Sequence, residues 1–311
     1  MNQTEPVNGD VVATKTVQFE ADGLTLEGVL RRPIDSTNSG RALVLTGPFT
    51  GVKEQVAGLY AERLARRGLV TLAFDHRNFG ASGGARRQHE DAAGKLADLS
   101  AATSFLAGHP SVDADRIGCV GICMGGGYAL KHSAFDRRIK AVALVAAAFN
   151  DPKLMRSGIG PEGYRALMAE FAQISGREHA TGEIEYIKAV SDVAGEDAAM
   201  PGAEPFAYYG TARSAAPGWR NQMTRLSIRE LLTFDAAIGA DFIGPTPTLI
   251  VHGRTDDFCA PSGAQDAFDR IDGPKELLWL DTTNHIDLYD EPRFVDPAID
   301  RVATWMDTHL R

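Results

Sequence analysis

Residues 116–130 constrain the fold more than any other stretch, because an apolar β-forming run ends in Gly121-x-Cys123-x-Gly125 and passes directly into a helix-forming segment. A side chain raised on so sharp a strand-to-helix turn needs neighbours without bulk. Glycine two positions before and two after Cys123 lets strand and helix pass closely. The following helix aims its N-terminal amides and the positive end of its dipole at the same point, which favours a thiolate and a developing oxyanion. Cys123 is the candidate nucleophile. Taken alone the pentapeptide is weakly specific, since glycine-rich strand ends also bind phosphates or simply turn. The Lys-Ser/Thr of a Walker loop and an early G-x-G-x-x-G are both missing, so cofactor-free chemistry is expected.

A thiol nucleophile needs a base, and the base needs an acid to orient it. Downstream, the apolar run 248–251 leads into His252-Gly253-Arg254-Thr255-Asp256-Asp257, a loop with two carboxylates. A second apolar run, 276–280, leads into Asp281-Thr282-Thr283-Asn284-His285. Acid and base thus both follow the C-terminal ends of strands, where open α/β sheets place their sites.

The rest of the chain alternates in the same way. Residues 14–19 and 24–30 read as an opening β-hairpin. Residues 42–45, 70–74, 116–120, 140–146, 248–251 and 276–280 read as core strands. Helical spacing covers 54–67, 91–107, 124–135, 261–271 and 297–310. The alternation predicts a mostly parallel, doubly wound sheet of about eight strands. Residues 150–240 break the rhythm, with helices expected at 165–174, 182–193 and 227–237 between Gly/Pro-rich connections. They read as a mainly helical cap inserted between core portions 1–149 and 241–311.

These motifs, with residues 46–55 and 74–84, resemble those of the α/β-hydrolase superfamily, and the cysteine on the elbow is similar to that of dienelactone hydrolase. The resemblance implies an α/β-hydrolase fold with Cys123 as nucleophile, His285 as general base and acid, and Asp256 holding the imidazole tautomer. Asp256 is preferred to Asp257 because it stands four residues after His252 in the family's H-G-x-x-D pattern. It further implies an oxyanion hole made by the Met124 amide and one from the loop after the third strand. Pro48 has no N–H, so Phe49 is the expected donor, with Thr50 in reserve. One departure concerns activation. Dienelactone hydrolase carries a glutamate beside its thiol, and Pro48 occupies the aligned position here. Glu54 falls where a helix begins and reads as a complement to its dipole.

The activity implied is hydrolysis of a carboxylic ester, lactone or thioester through an acyl-enzyme, without the dienelactone substrate. An acyltransferase or lactone-forming cyclase using the same three residues is the second expectation. A non-catalytic small-molecule receptor is the third, although the broken triad that usually marks one is not seen. Phe206, Tyr208, Tyr209, Trp219 and Met223 are the cap residues expected to line an apolar substrate pocket, with anchoring of the cap as the alternative role.

At 311 residues, 44% hydrophobic and 23% charged, the chain can bury a large core and carry an insertion. The formal charge of −9 disfavours nucleic acid or an anionic membrane as partner. The expected partner is a small, partly apolar acyl substrate, and a homodimer is compatible with the reading. Three cysteines make no disulfide framework. Cys119 reads as a buried strand residue and Cys259 as loop packing. His76 and His252 read as structural. His89, His109, His132, His179 and His309 show no metal-ligand spacing, so no metal site is expected. No apolar run reaches the roughly 18 residues of a membrane span, and residues 1–5 lack a signal pattern, so a cytoplasmic location is expected.

Overall fold

The computed structural model describes residues 11–34 and 40–311; the signal-peptide expectation, drawn from residues 1–5, lies outside them. Strands β1 (Val12–Ala21) and β2 (Leu24–Pro33) form the expected hairpin, turned by Asp22 and Gly23 at φ 50° and 78°. Two successive positive φ values suit the twist of a two-residue hairpin. The chain continues through β3 (Ala42–Thr46), α1 (Val56–Ala65), β4 (Val70–Phe74), α2 (Ala92–Ala107), β5 (Ile117–Ile122), α3 (Met124–Phe135) and β6 (Ile139–Val145). Next come α4 (Pro152–Ile159), α5 (Pro161–Thr181), β7 (Tyr186–Ser191), β8 (Ala198–Pro201), α6 (Ala203–Tyr209), β9 (Met223–Thr224), α7 (Ser227–Thr233) and α8 (Ile238–Phe242). The last elements are β10 (Thr248–Gly253), α9 (Pro261–Arg270), β11 (Lys275–Leu280), α10 (Asp287–Asp290) and α11 (Pro292–His309).

Eight strands form one sheet in the order β1-β2-β4-β3-β5-β6-β10-β11, parallel from β4 onward. β3, β4, β5 and β10 are buried along their whole length, because helices cover both faces. Alternation sorts their side chains. Ala42 and Val44 enter the core beneath α2 and α3, with Leu99, Leu106 and Tyr128. Leu43 and Leu45 enter the core beneath α1 and α11, with Tyr60, Leu64, Val302 and Met306. Each large apolar side chain so buried contributes about 1.5–3 kcal/mol, which makes the register of the central strands unambiguous.

Two expectations need correction. Residues 182–193 were expected as a helix, but α5 runs on to Thr181, stops at Gly182 with φ 74°, and gives way to strand β7. β7 pairs with β8 and β9 in a separate three-stranded sheet, so the segment between β6 and β10 is mainly helical, as expected, and carries a small sheet besides. The aromatic and β-branched residues Tyr186, Ile187 and Val190 favour a strand, yet the partner strands come from distant sequence. The final helix begins at Pro292, not at 297. Pro297 lies inside it and forfeits one backbone hydrogen bond, while Phe294, Val295, Ala298, Ile299 and Val302 are buried around it. Among the described residues no helix is long and apolar enough to cross a membrane.

Helix α3 lies so close to the loop after β6 that a Cβ on Gly127 would meet the Ala148 carbonyl at 2.4 Å and the Ala236 Cβ at 2.9 Å. Exposed Gly176, within α5, has nothing within 4 Å of that position. Gly127→Ala should therefore cost about 1–3 kcal/mol, and Gly176→Ala should add about 0.5–1 kcal/mol. Urea unfolding of the two variants checks this; equal effects would show that the α3 contact is slack.

Candidate active site

Cys123 is the residue on which β5 turns into α3, and its φ of 55° and ψ of −124° are costly for a side-chain-bearing residue, by about 1–3 kcal/mol. Three hydrogen bonds hold it there. Its N–H donates to the Val145 carbonyl (3.0 Å), and its carbonyl accepts from the amides of Gly126 (2.8 Å) and Ala148 (2.9 Å). A Cβ on Gly125 would stand 2.3 Å from the Thr46 carbonyl, and one on Gly121 would stand 2.3 Å from that of Gly125. The end of β3 is thus pressed against the start of α3, which carries the loop with Phe49 toward the elbow. Neither the Met124 amide, at the first turn of α3, nor the Phe49 amide donates to a protein acceptor among the described residues.

The loops after β10 and β11 supply the remaining groups. His285 Nδ1 lies 2.7 Å from Asp256 Oδ2, and both residues are buried. The other carboxylate oxygen of Asp256 accepts from the amides of Phe258 (2.9 Å) and Cys259 (2.7 Å), which fixes its orientation. Asp257 is exposed; of the two carboxylates the sequence left open, Asp256 is the one that meets the imidazole. Glu204 at the start of α6 accepts from the His285 and Ile286 amides at 2.7 and 3.2 Å, so the inserted segment clamps the histidine loop.

Sequence reasoning missed two neighbours of the thiol, Cys259 and Tyr289, and Glu204 on the histidine loop. Cys259, expected as loop packing, brings its sulfur to 4.0 Å from that of Cys123. Tyr289 places its hydroxyl 3.0 Å from His285 Nε2 and also hydrogen-bonds Cys123. Its signal was available, one helical turn beyond the histidine. Glu204 had only its place in the first turn of a helix. The two sulfurs and a His285 ring nitrogen lie within 4.8 Å of one another, the one grouping of potential metal donors among the described residues. Because the three come from three separate loops, no ligand spacing in the sequence reveals them. His76 and His252 are packed, as expected: His76 lies between Thr46 and Asp98, and His252 Nδ1 faces the Gly253 carbonyl.

The electrostatics favour a charged pair. The Cys259 thiol, the largest influence, pulls the Cys123 thiol well below its ordinary range; burial opposes this, and His285 and Tyr289 reinforce it. Burial works against charge on His285 as well, but the Cys123 sulfur and Asp256 more than offset it and raise the imidazole to about 10. The Cys259 thiol is pushed up by its hydrogen bond to Cys123 and by burial, so it stays protonated and can donate.

A cavity of about 30 Å³ over the thiol is lined by Cys123, Met200, Pro205, Tyr209, Phe258, His285, Ile286 and Tyr289, room for one or two waters. Of the five residues expected to line the pocket, Tyr209 does. The other four do not line it. Tyr208 packs edge-on against Tyr209 and Tyr289, Trp219 stacks on Tyr209 at 5.7 Å, and Phe206 packs against the same cluster. Met223 is wholly buried in β9, on the α2–α3 side. These residues anchor the inserted segment because their bulk fills its joint with the core.

A mostly parallel eight-stranded sheet, with a strained elbow after β5, an acid after β10 and a histidine after β11, is the architecture of an α/β-hydrolase. The sequence profile of the family described as "Serine aminopeptidase, S33" matches residues 52–292, and the chain belongs to that family, an enzyme of the hydrolase class. It is 33% identical to the uncharacterized protein YcjY of Escherichia coli K12, over 92% of this chain and 95% of that one. Thiohydrolase aneE of Aspergillus aculeatus is 29% identical over 85% and 83%, and polyketide transferase grgF of Penicillium sp. is 27% identical over 86% and 87%. The crystal structure of hypothetical protein PA2218 from Pseudomonas aeruginosa superposes with a TM-score of 0.87 at 30% identity, covering 99% and 97% of the two chains. That of GrgF gives 0.79 at 25% identity, covering 96% and 99%.

The hydrogen bond from Cys259, reinforced by His285, should make Cys123 react with iodoacetamide well below pH 9, the ordinary thiol value. His285→Ala should move the midpoint of the alkylation rate upward by more than one pH unit. A midpoint that stays in place would show that the imidazole does not set the thiol's charge.

Proposed function

We propose that this chain is a thiol-dependent acyl hydrolase that cleaves a carboxylic ester, lactone or thioester through Cys123, His285 and Asp256. The observation that carries the reading is a strained, anchored Cys123 beside an imidazole that Asp256 holds at 2.7 Å. The Cys123 thiolate attacks the carbonyl while the Met124 and Phe49 amides receive the oxyanion. His285, protonated at Nε2, passes that proton to the leaving oxygen or sulfur. Formation of the thioester consumes the thiolate, and with it the main charge that raised the imidazole. Neutral His285 then takes a proton from water, which attacks the acyl carbon and expels Cys123.

Cysteine on the elbow steers the reading away from peptides, although the family's description speaks of a serine aminopeptidase. A thiolate is a better leaving group than an amine, so the adduct with an amide tends to revert. Thioesters and activated esters do not impose that penalty, and relative aneE is described as a thiohydrolase. The likeness to dienelactone hydrolase at the elbow belongs to this proposal, as do residues 150–240 as a substrate-selecting cap and a cytoplasmic setting in which thiols stay reduced. A second reading, acyl transfer, is favoured by the apolar walls Met200, Pro205, Phe258 and Ile286, which would suit an apolar acceptor better than water. Relative grgF, described as a polyketide transferase, supports it.

The protein mixed briefly with nitrophenyl acetate should release a burst of nitrophenol and gain one acetyl group by intact mass. Cys123→Ala should abolish the adduct, and Asp256→Asn should slow turnover by roughly a thousandfold to ten-thousandfold. Full turnover by Cys123→Ala would overturn the mechanism. With an added alcohol or thiol acceptor, hydrolysis yields free acid alone and transfer yields the new ester or thioester. Free acid alone at saturating acceptor would remove the second reading.

A further inference from the structure

Beyond a hydrogen bond to the Cys123 sulfur, the second thiol takes no part in the acyl steps, and Cys259 Sγ stands 4.0 Å from Cys123 Sγ. Its position is built rather than incidental. The Cys259 amide donates to Asp256 Oδ1 at 2.7 Å, so the carboxylate that orients His285 also pins the residue carrying the second sulfur. Cys259 is only 5% exposed, and its sulfur, that of Cys123 and a His285 ring nitrogen lie within 4.8 Å of one another. Moving the sulfurs from 4.0 Å to the bonded separation of about 2 Å is within reach of side-chain rotation on two loops.

We infer that Cys123 and Cys259 form an oxidisable pair: hydrogen peroxide or a short alkyl hydroperoxide converts Cys123 to a sulfenic acid, and Cys259 resolves it as a reversible intramolecular disulfide. In the first step the Cys123 thiolate attacks the near peroxide oxygen and the O–O bond breaks. The leaving alkoxide or hydroxide takes the proton from His285, and sulfur loses two electrons to the peroxide. In the second, Cys259 sulfur attacks Cys123 sulfur, the S–O bond breaks, and the departing hydroxide takes the Cys259 proton as water. Two thiols and one hydroperoxide thus become one disulfide, one alcohol or water, and one water. Cys119 cannot compete. It is wholly buried within β5, and its thiol is pushed up to about 12, chiefly by burial. A disulfide at this position removes the nucleophile, so oxidation and acyl-enzyme formation exclude each other.

The pairing rests on the placement of the two sulfurs and not on which acyl substrate is cleaved. The test is therefore read by mass. The full chain is treated with one equivalent of hydrogen peroxide, unreacted thiols are capped with iodoacetamide, and the digest is mapped. The expected product is a chain lighter by two hydrogens, with the Cys123 and Cys259 peptides linked, which no longer takes up an acetyl group from nitrophenyl acetate until dithiothreitol is added. In Cys259→Ser one equivalent should stop at the sulfenic acid and a second equivalent should carry Cys123 on to the sulfinic acid, a gain of two oxygens that dithiothreitol does not reverse. Cys119→Ser should form the disulfide as the native chain does. Sulfinic acid as the first product of the native chain, or a link to Cys119, would overturn the inference. A disulfide that forms in a chain with no acyl turnover would sustain it while removing the hydrolase reading.

Discussion

How closely α3 approaches the ends of β3 and β6 decides what surrounds the thiol. With no Cβ on Gly121, Gly125 or Gly127, helix and strands meet backbone to backbone, and any side chain there would overlap a carbonyl oxygen. That contact turns the chain sharply enough to leave Cys123 at positive φ, with its own N–H and C=O tied to β6 and the loop beyond it. It also draws the loop after β3 toward the first turn of α3, where the Phe49 and Met124 amides have no protein acceptor among the described residues. A helix standing even an ångström farther out would move the Cys123 sulfur away from those two amides and relax the strain that holds it up.

The second determinant is that a charged pair survives in a buried place. Removing a thiolate and an imidazolium from water is unfavourable, and burial opposes both charges here. What offsets it is a ring of short contacts: Asp256 behind the imidazole, Tyr289 at its other nitrogen, Cys259 on the thiol. Activation of the sulfur by these neighbours accounts for the tolerance of Pro48, where no acid is available. Glu204 ties the arrangement to the inserted segment, because its carboxylate holds the two amides at the start of the histidine turn. Opening that segment to admit a substrate would loosen the histidine loop as well, so access and catalytic order are coupled in one hydrogen-bonded joint.

The two proposed reactions, oxidation and acylation, draw on the same sulfur and on the same features around it. A thiolate stabilised at neutral pH is a nucleophile toward carbonyl carbon and peroxide oxygen alike. The walls beside it, Met200, Pro205, Phe258 and Ile286, are apolar. The family's description speaks of a serine enzyme, and cysteine on the elbow brings both the acyl chemistry of a good leaving group and the vulnerability that a second thiol can contain.

Short-range patterns determined much of this protein. Apolar runs closed by glycine placed the strands from β3 to β6 and β10, because a strand buried on both faces has one solution for its register. Gly121 and Gly125 announced the elbow around Cys123, and the order of loops announced Asp256 and His285. Residues 186–191 and the helix through Pro297 were decided by burial against distant partners, which overrode local preference. So were the roles of Phe206, Tyr208, Trp219 and Met223, which proved to be anchors rather than pocket walls. Only the folded chain brought Cys259 and Tyr289 to the thiol and Glu204 to the histidine loop, since each comes from a different loop or helix. Sequence carries the periodicity of a strand and the freedom of a glycine; distances between side chains of separate loops exist only once the sheet has set its order.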